Sequence, residues 1–133
     1  LVTQSRQDVK DVFMTATEQG DTEKVCKLLE EINIQPDLTT TREGFGRSVL
    51  SVAASYGRTS VIAELLKGGA NPMLRSAFER VALHEACMGG HLESAQLLAH
   101  VTSDINVVDK NGQTAVHLAS FNGEVKVLKM LLE

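Results

Sequence analysis

The stretch "VALHEACMGGH" at residues 81–91 places two histidines, a glutamate and a cysteine within eleven positions. Imidazole, carboxylate and thiolate are the side chains that bind zinc, and in pairs they supply nucleophilic and acid–base catalysis. Spacing tests these possibilities. A zinc helix of the His-Glu-x-x-His type carries its histidines at i and i+4, on one face. Four residues after His84 stands Met88, and His91 lies beyond Gly89 and Gly90, a glycine pair that ends a helix rather than continuing it. "EGFGRS" (43–48) has glycines like those of a phosphate-binding loop but lacks the Lys-Ser/Thr that would follow them. Ser48, Ser51 and Ser55 have no histidine close to them in the chain. The expectation is a chain with no catalytic residue, no metal and no cofactor, and so not an enzyme.

The elements that position these residues repeat. When the chain is shifted by 33, "SVLSVAASYG" (48–57), "VALHEACMGG" (81–90) and "TAVHLASFNG" (114–123) align without gaps. His84 falls on His117, and Ala53, Ala86 and Ala119 coincide, as do Gly57, Gly90 and Gly123. An earlier copy appears at a shift of 37, where Ala16, Gly20, Val25 and Leu28 fall on Ala53, Gly57, Ile62 and Leu65. Four extra residues therefore separate the first two copies, around "DLTTTREGFG" (37–46). Each unit reads as a short helix of small apolar residues, a glycine stop, and a second amphipathic helix such as "HLESAQLLAH". A fixed period of this length is the mark of a stacked array.

The pattern resembles the ankyrin repeat. "DKNGQTAVHLASFNGEVKVLKMLLE" (109–133) follows the family motif D-x-x-G-x-T-P-L-H-x-A-A-x-x-G closely, and "GGHLESAQLL" and "KGGANP" match other parts of it. The resemblance implies an all-α solenoid of helix-turn-helix pairs with β-hairpin fingers, in repeats at about 8–41, 42–75, 76–108 and a partial 109–133. It makes His84 a structural histidine that ties finger to helix. Cys87, in register with Ala54 and Ser120, becomes a small core residue. Glu85 is expected to face solvent. The motif's proline is missing throughout, and Val81 stands where Thr114 and Ser48 can cap a helix, a loss of about 0.5–2 kcal/mol. The first unit, polar on its outer side, reads as an N-terminal cap. The last helix has no such cap, so Val125, Leu128 and Leu131 are expected to be partly uncovered, and the natural chain to continue.

Composition narrows the function. Apolar residues make up 43%, enough for a core, and with no Trp that core must be aliphatic. Net charge is −4, with nine acids and five bases through Gly46 and eight of each after it, which argues against binding nucleic acid through its phosphates. No apolar run is long enough to span a membrane. Two cysteines, Cys26 and Cys87, are too few for a disulfide framework and fit a reducing, cytoplasmic or nuclear setting.

In the family, variable finger positions and the two residues before the helix-ending glycine face the partner. Carried over, these are Gly44, Phe45 and Arg47, then Ala77, Phe78 and Arg80, then Lys110, Asn111 and Gln113 in the fingers. On the helices they are Glu18 and Gln19, Ser55 and Tyr56, Met88 and Gly89, Phe121 and Asn122. The chain has five aromatic residues, and four of them, Phe45, Tyr56, Phe78 and Phe121, fall in this set, where an aliphatic core gives no reason to put them. Aromatic and arginine side chains anchor interfaces. The resemblance therefore implies binding of another protein or a peptide segment through Phe45, Arg47, Tyr56, Phe78, Arg80, Met88, Lys110, Gln113, Phe121 and Asn122, with acidic partner groups near the arginines. The rings could instead fold over their own fingers. Two other roles stay open: a spacer, or a regulatory domain docking within a larger enzyme, channel or scaffold protein. A monomer is expected, with end-to-end pairing through the last helix as the alternative.

Overall fold

The computed structural model describes residues 6–33, 36 and 46–132, with the backbone alone for 6–8. Among them are eight helices: α1 (Arg6–Gln19), α2 (Thr22–Glu31), α3 (Val49–Ser55), α4 (Thr59–Lys67), α5 (Ala82–Met88), α6 (Leu92–Val101), α7 (Ala115–Phe121) and α8 (Val125–Leu132). The odd-numbered helices stack in one row, α1 on α3 on α5 on α7, and the even-numbered helices in a second row behind them. The expected four helix pairs are therefore present.

Repeat register explains the packing. Ala16, Ala53, Ala86 and Ala119 are all buried, and their small side chains let neighbouring inner helices approach closely. Behind them Val25, Ile62 and Ala95 fill the space between the rows, with Leu28, Leu65 and Leu98 one turn further along the outer helices. Among the described residues Phe13 is the one Phe or Tyr in the core, at the register position held by Leu50 and Leu83. Thr17, also fully buried, donates its hydroxyl to the Phe13 carbonyl at 2.9 Å, so no polar group is stranded.

Each inner helix ends the same way. Gly20, Gly57, Gly90 and Gly123 take φ of 73°, 69°, 71° and 69°. The next amide then reaches back five residues, as in Arg58 N to Ala53 O at 2.9 Å and His91 N to Ala86 O at 3.1 Å. This left-handed stop turns the chain into the outer helix.

The fingers are tight turns rather than extended ribbons, and the described residues form no strand beyond an isolated bridge at Ser48. One finger is closed by Ser76 N to Arg80 O at 3.0 Å and the next by Asp109 N to Gln113 O at 2.9 Å. Lys110 N donates to Phe78 O at 2.8 Å and ties the two together. At the tips Gly46, Glu79 and Gly112 occupy one register position, with φ of 54°, 59° and 74°. Only Glu79 pays the Cβ penalty of a left-handed backbone. Glu79→Gly is therefore expected to stabilise the chain by about 0.5–1 kcal/mol, read as a higher urea midpoint at unchanged slope.

Helix starts vary with the sequence. Ser48 Oγ accepts from Ser51 N at 3.2 Å and Thr114 Oγ1 from His117 N at 3.3 Å. Val81 has no acceptor to offer, so α5 lacks this bond, as the sequence implies. At the far end the face of α7 and α8 is open: Val125 is 59% and Leu132 70% exposed, with Leu128 and Leu131 half-buried.

Candidate partner-binding face

The histidines that open the question of chemistry point away from each other. His84 is fully buried; its Nδ1 accepts from Val81 N at 3.0 Å and its Nε2 donates to Val107 O at 3.0 Å, which defines the neutral tautomer. Burial holds its pKa below the usual histidine value. His91 Nε2 instead donates to Ser55 O in the preceding unit, at 3.0 Å. The Cys87 thiol is fully buried and pushed up to about 12 by burial, so it is no nucleophile at neutral pH. Cys26 is half-buried, and its thiol is raised by burial and by the carboxylates of Glu64 and Glu30, the reverse of what a redox sensor needs. Among the described residues no three His, Cys, Asp or Glu side chains gather where a metal could sit.

A ladder links the inner helix ends. Arg58 Nε donates to Glu18 O at 3.0 Å, and His91 Nε2 does the same one unit on. In the fourth unit Glu124, which has no side-chain N–H, takes that register position, and Asn122 Nδ2 contacts Met88 O at 3.5 Å in its place. These bonds set the spacing of the surface on which the candidate contact residues lie.

Glu85 overturns one expectation. It is 8% exposed, not solvated, with Oε2 3.7 Å from Nη1 of Arg47. Its register position holds Val52 and Leu118 in the neighbouring units, both buried, and that signal was present in the sequence. Burial raises the Glu85 pKa, with Arg47 and Arg80 opposing. The folded chain therefore keeps this proton to higher pH than the unfolded chain. Stability then falls as pH rises from the ordinary 4.5 through the raised value. Glu85→Leu is expected to abolish that slope in urea titrations across pH. It should also leave neutral-pH stability unchanged or raise it by about 1–2 kcal/mol, whereas Arg47→Ala, which strands the acid, lowers it by about 1–3 kcal/mol.

The arginines expected to meet a partner are engaged inside the array. Arg47 Nη1 also donates to Ser55 Oγ at 3.4 Å. Arg80 Nε lies 3.3 Å from Asp109 Oδ2, whose side chain is almost wholly buried. The Arg80 guanidinium also stacks on the Phe78 ring at 5.4 Å, and that of Arg58 lies 6.0 Å from the Tyr56 ring. The aromatic residues project: Tyr56 is 48%, Phe78 40% and Phe121 84% exposed. Met88 and Gln113 are half-buried, and Lys110 and Asn122 exposed. Phe45, with Gly44 and Thr39 to Thr41, lies outside the described residues.

The chain matches the sequence model of ankyrin repeats (3 copies) over residues 13–109 and again over 61–133. It belongs to the ankyrin repeat family. It is similar to the probable E3 ubiquitin-protein ligase XBOS32 of Oryza sativa subsp. japonica, 31% identical over 90% of this chain and 24% of the ligase. It is also similar to the human transient receptor potential cation channel subfamily A member 1, 33% identical over 80% of this chain and 10% of the channel. A third relative is the E3 ubiquitin-protein ligase KEG of Arabidopsis thaliana, at 29% identity over 80% of this chain and 7% of the ligase. The ankyrin array thus spans a quarter or less of each of these relatives. Ankyrin repeats are protein-interaction modules, and among the described residues no helix is long and apolar enough to cross a membrane.

Proposed function

We propose that this ankyrin array is a non-catalytic binding module that holds a segment of another protein along the row of Tyr56, Phe78, Met88 and Phe121. The observation that carries this reading is Phe121, a large apolar side chain 84% exposed, with Tyr56 and Phe78 exposed beside it in the preceding units. The Tyr56 and Phe78 rings lie against the guanidiniums of Arg58 and Arg80, which lowers the entropic penalty of presenting their apolar area. Polar side chains around them, Lys110, Gln113 and Asn122, supply the rim. Two unpaired thiols and the acidic charge balance support an intracellular protein partner over a nucleic acid.

The test is affinity capture from a cytosolic extract with wild type and the Tyr56→Ala/Phe78→Ala/Phe121→Ala variant, once circular dichroism confirms equal folding. Proteins held by wild type alone support the row. Equal capture by both refutes it. One further reading has its own support: the array covers only 24% of one ligase and 10% of a channel, so its partner could be another domain of its own chain. Capture of an added domain from the same full-length protein, lost in the triple variant, would favour that.

A further inference from the structure

The charges of this face bear on the kind of segment it accepts, an inference that rests on the binding row proposed above. Three guanidiniums line the row, and each is bound within the array. Arg47 is shared between Glu85 at 3.7 Å and Ser55 at 3.4 Å. Arg80 is held by Asp109 at 3.3 Å and lies against Phe78. Arg58 donates to the Glu18 carbonyl at 3.0 Å and lies beside Tyr56. Their side chains are not displayed as free cations: those of Arg47 and Arg80 are 27% and 21% exposed.

A partner carboxylate that displaced Glu85 or Asp109, each 8% exposed or less, would leave that buried acid without its counter-charge, and one that took the remaining N–H groups would meet a guanidinium whose charge that acid already offsets. The charged finger side chains that do project, Arg75, Glu79, Asp104 and Lys110, are two of each sign and offset each other at long range. Between the rings Met88 is followed by Gly89, in the register column that holds Tyr56 and Asn122, and the His91 imidazole packs where a side chain at Gly89 would stand.

We infer that the occupant is an uncharged apolar segment of a protein, anchored by large aliphatic or aromatic side chains and without acidic anchors. Arg47 and Arg80 pair with the array's own acids instead of with the partner, and Arg58 is held on the Glu18 backbone carbonyl. This replaces the acidic partner that the arginine spacing suggests.

The experiment pans a phage-displayed random dodecapeptide library on the 133-residue chain, then measures selected synthetic peptides by fluorescence anisotropy. The expected peptides are enriched in Leu, Met, Phe and Trp and show no enrichment of Asp or Glu over the input library. Their affinity for Tyr56→Ala/Phe78→Ala/Phe121→Ala should drop about tenfold or more. It should change less than about twofold between roughly 0.05 and 0.5 M salt. Enrichment of acids, or a tenfold loss in salt with the aromatic dependence intact, would overturn the charge inference and leave the row standing. Peptides that bind wild type and the triple variant alike, or a library that yields no binder, would remove the row and this inference with it.

Discussion

His84→Ala is expected to destabilise the array by about 3–5 kcal/mol, whereas His117→Ala, at the same register position one repeat later, lowers stability by about 1 kcal/mol or less. The imidazole of His84 is wholly buried and bonded at both nitrogens. Its removal leaves a cavity and strips partners from Val81 N and Val107 O, which sit where water cannot easily replace them. His117 is exposed and serves only its own helix start, at 3.0 Å from Thr114 N. Urea unfolding of the two variants checks the contrast, and equal losses would mean that the bond across to Val107 contributes little. The acid limb gives an independent reading. Because burial lowers the His84 pKa, the unfolded chain takes up this proton first as pH falls. The stabilisation is complete above the ordinary value of 6.5 and fades below it, towards the depressed folded value. His84→Ala should lack that component of the pH dependence.

Asp109→Ala is expected to lower stability by about 3–5 kcal/mol and to loosen the finger at 103–113 before the rest of the array. Asp109 Oδ1 accepts from the amides of Asn111 and Gln113, both at 2.9 Å, while Oδ2 faces Arg80. One buried carboxylate thereby closes its own turn and fastens it to the preceding finger. Asp109→Asn keeps an acceptor for the amides but loses the charge opposite Arg80, and should fall between wild type and alanine. Hydrogen exchange at Asn111 and Gln113 provides the local measurement. If both amides stay protected in Asp109→Ala, the finger is held by backbone bonds alone. Burial tends to raise the Asp109 pKa, but the two amides and Arg80 outweigh it and hold the carboxyl below the usual 3.8. Its contribution is therefore present above the ordinary carboxylate range and is lost as pH falls through the depressed value.

These residues differ in how far the chain alone reveals them. His84 is legible because its spacing to His117 equals the repeat period, while Gly89 and Gly90 break any helix that could join it to His91. Cys87 is legible for the same reason, in register with Ala54. Glu85 misleads because a carboxylate amid apolar neighbours is ordinarily solvated, and its identity outweighs its register with Val52 and Leu118. Arg47 and Arg80 mislead in the opposite sense. Their spacing marks them as equivalent, but their acids come from neighbouring units, and no local pattern joins such distant groups. Tyr56, Phe78 and Phe121 are legible as residues out of place in an aliphatic core, and their exposures agree with that reading.

By itself the sequence determined the number of helix pairs, their ends and the residues between the rows. Those follow from period, glycine placement and the sizes of apolar side chains, all of which act within one repeat or between identical neighbours. Only the tertiary structure decided which charges are available to a partner. Stacking brings Glu85 beneath Arg47 and Asp109 beside Arg80 and takes both acids out of water. A buried carboxylate holds its arginine more firmly than a solvated one, because water no longer competes for either.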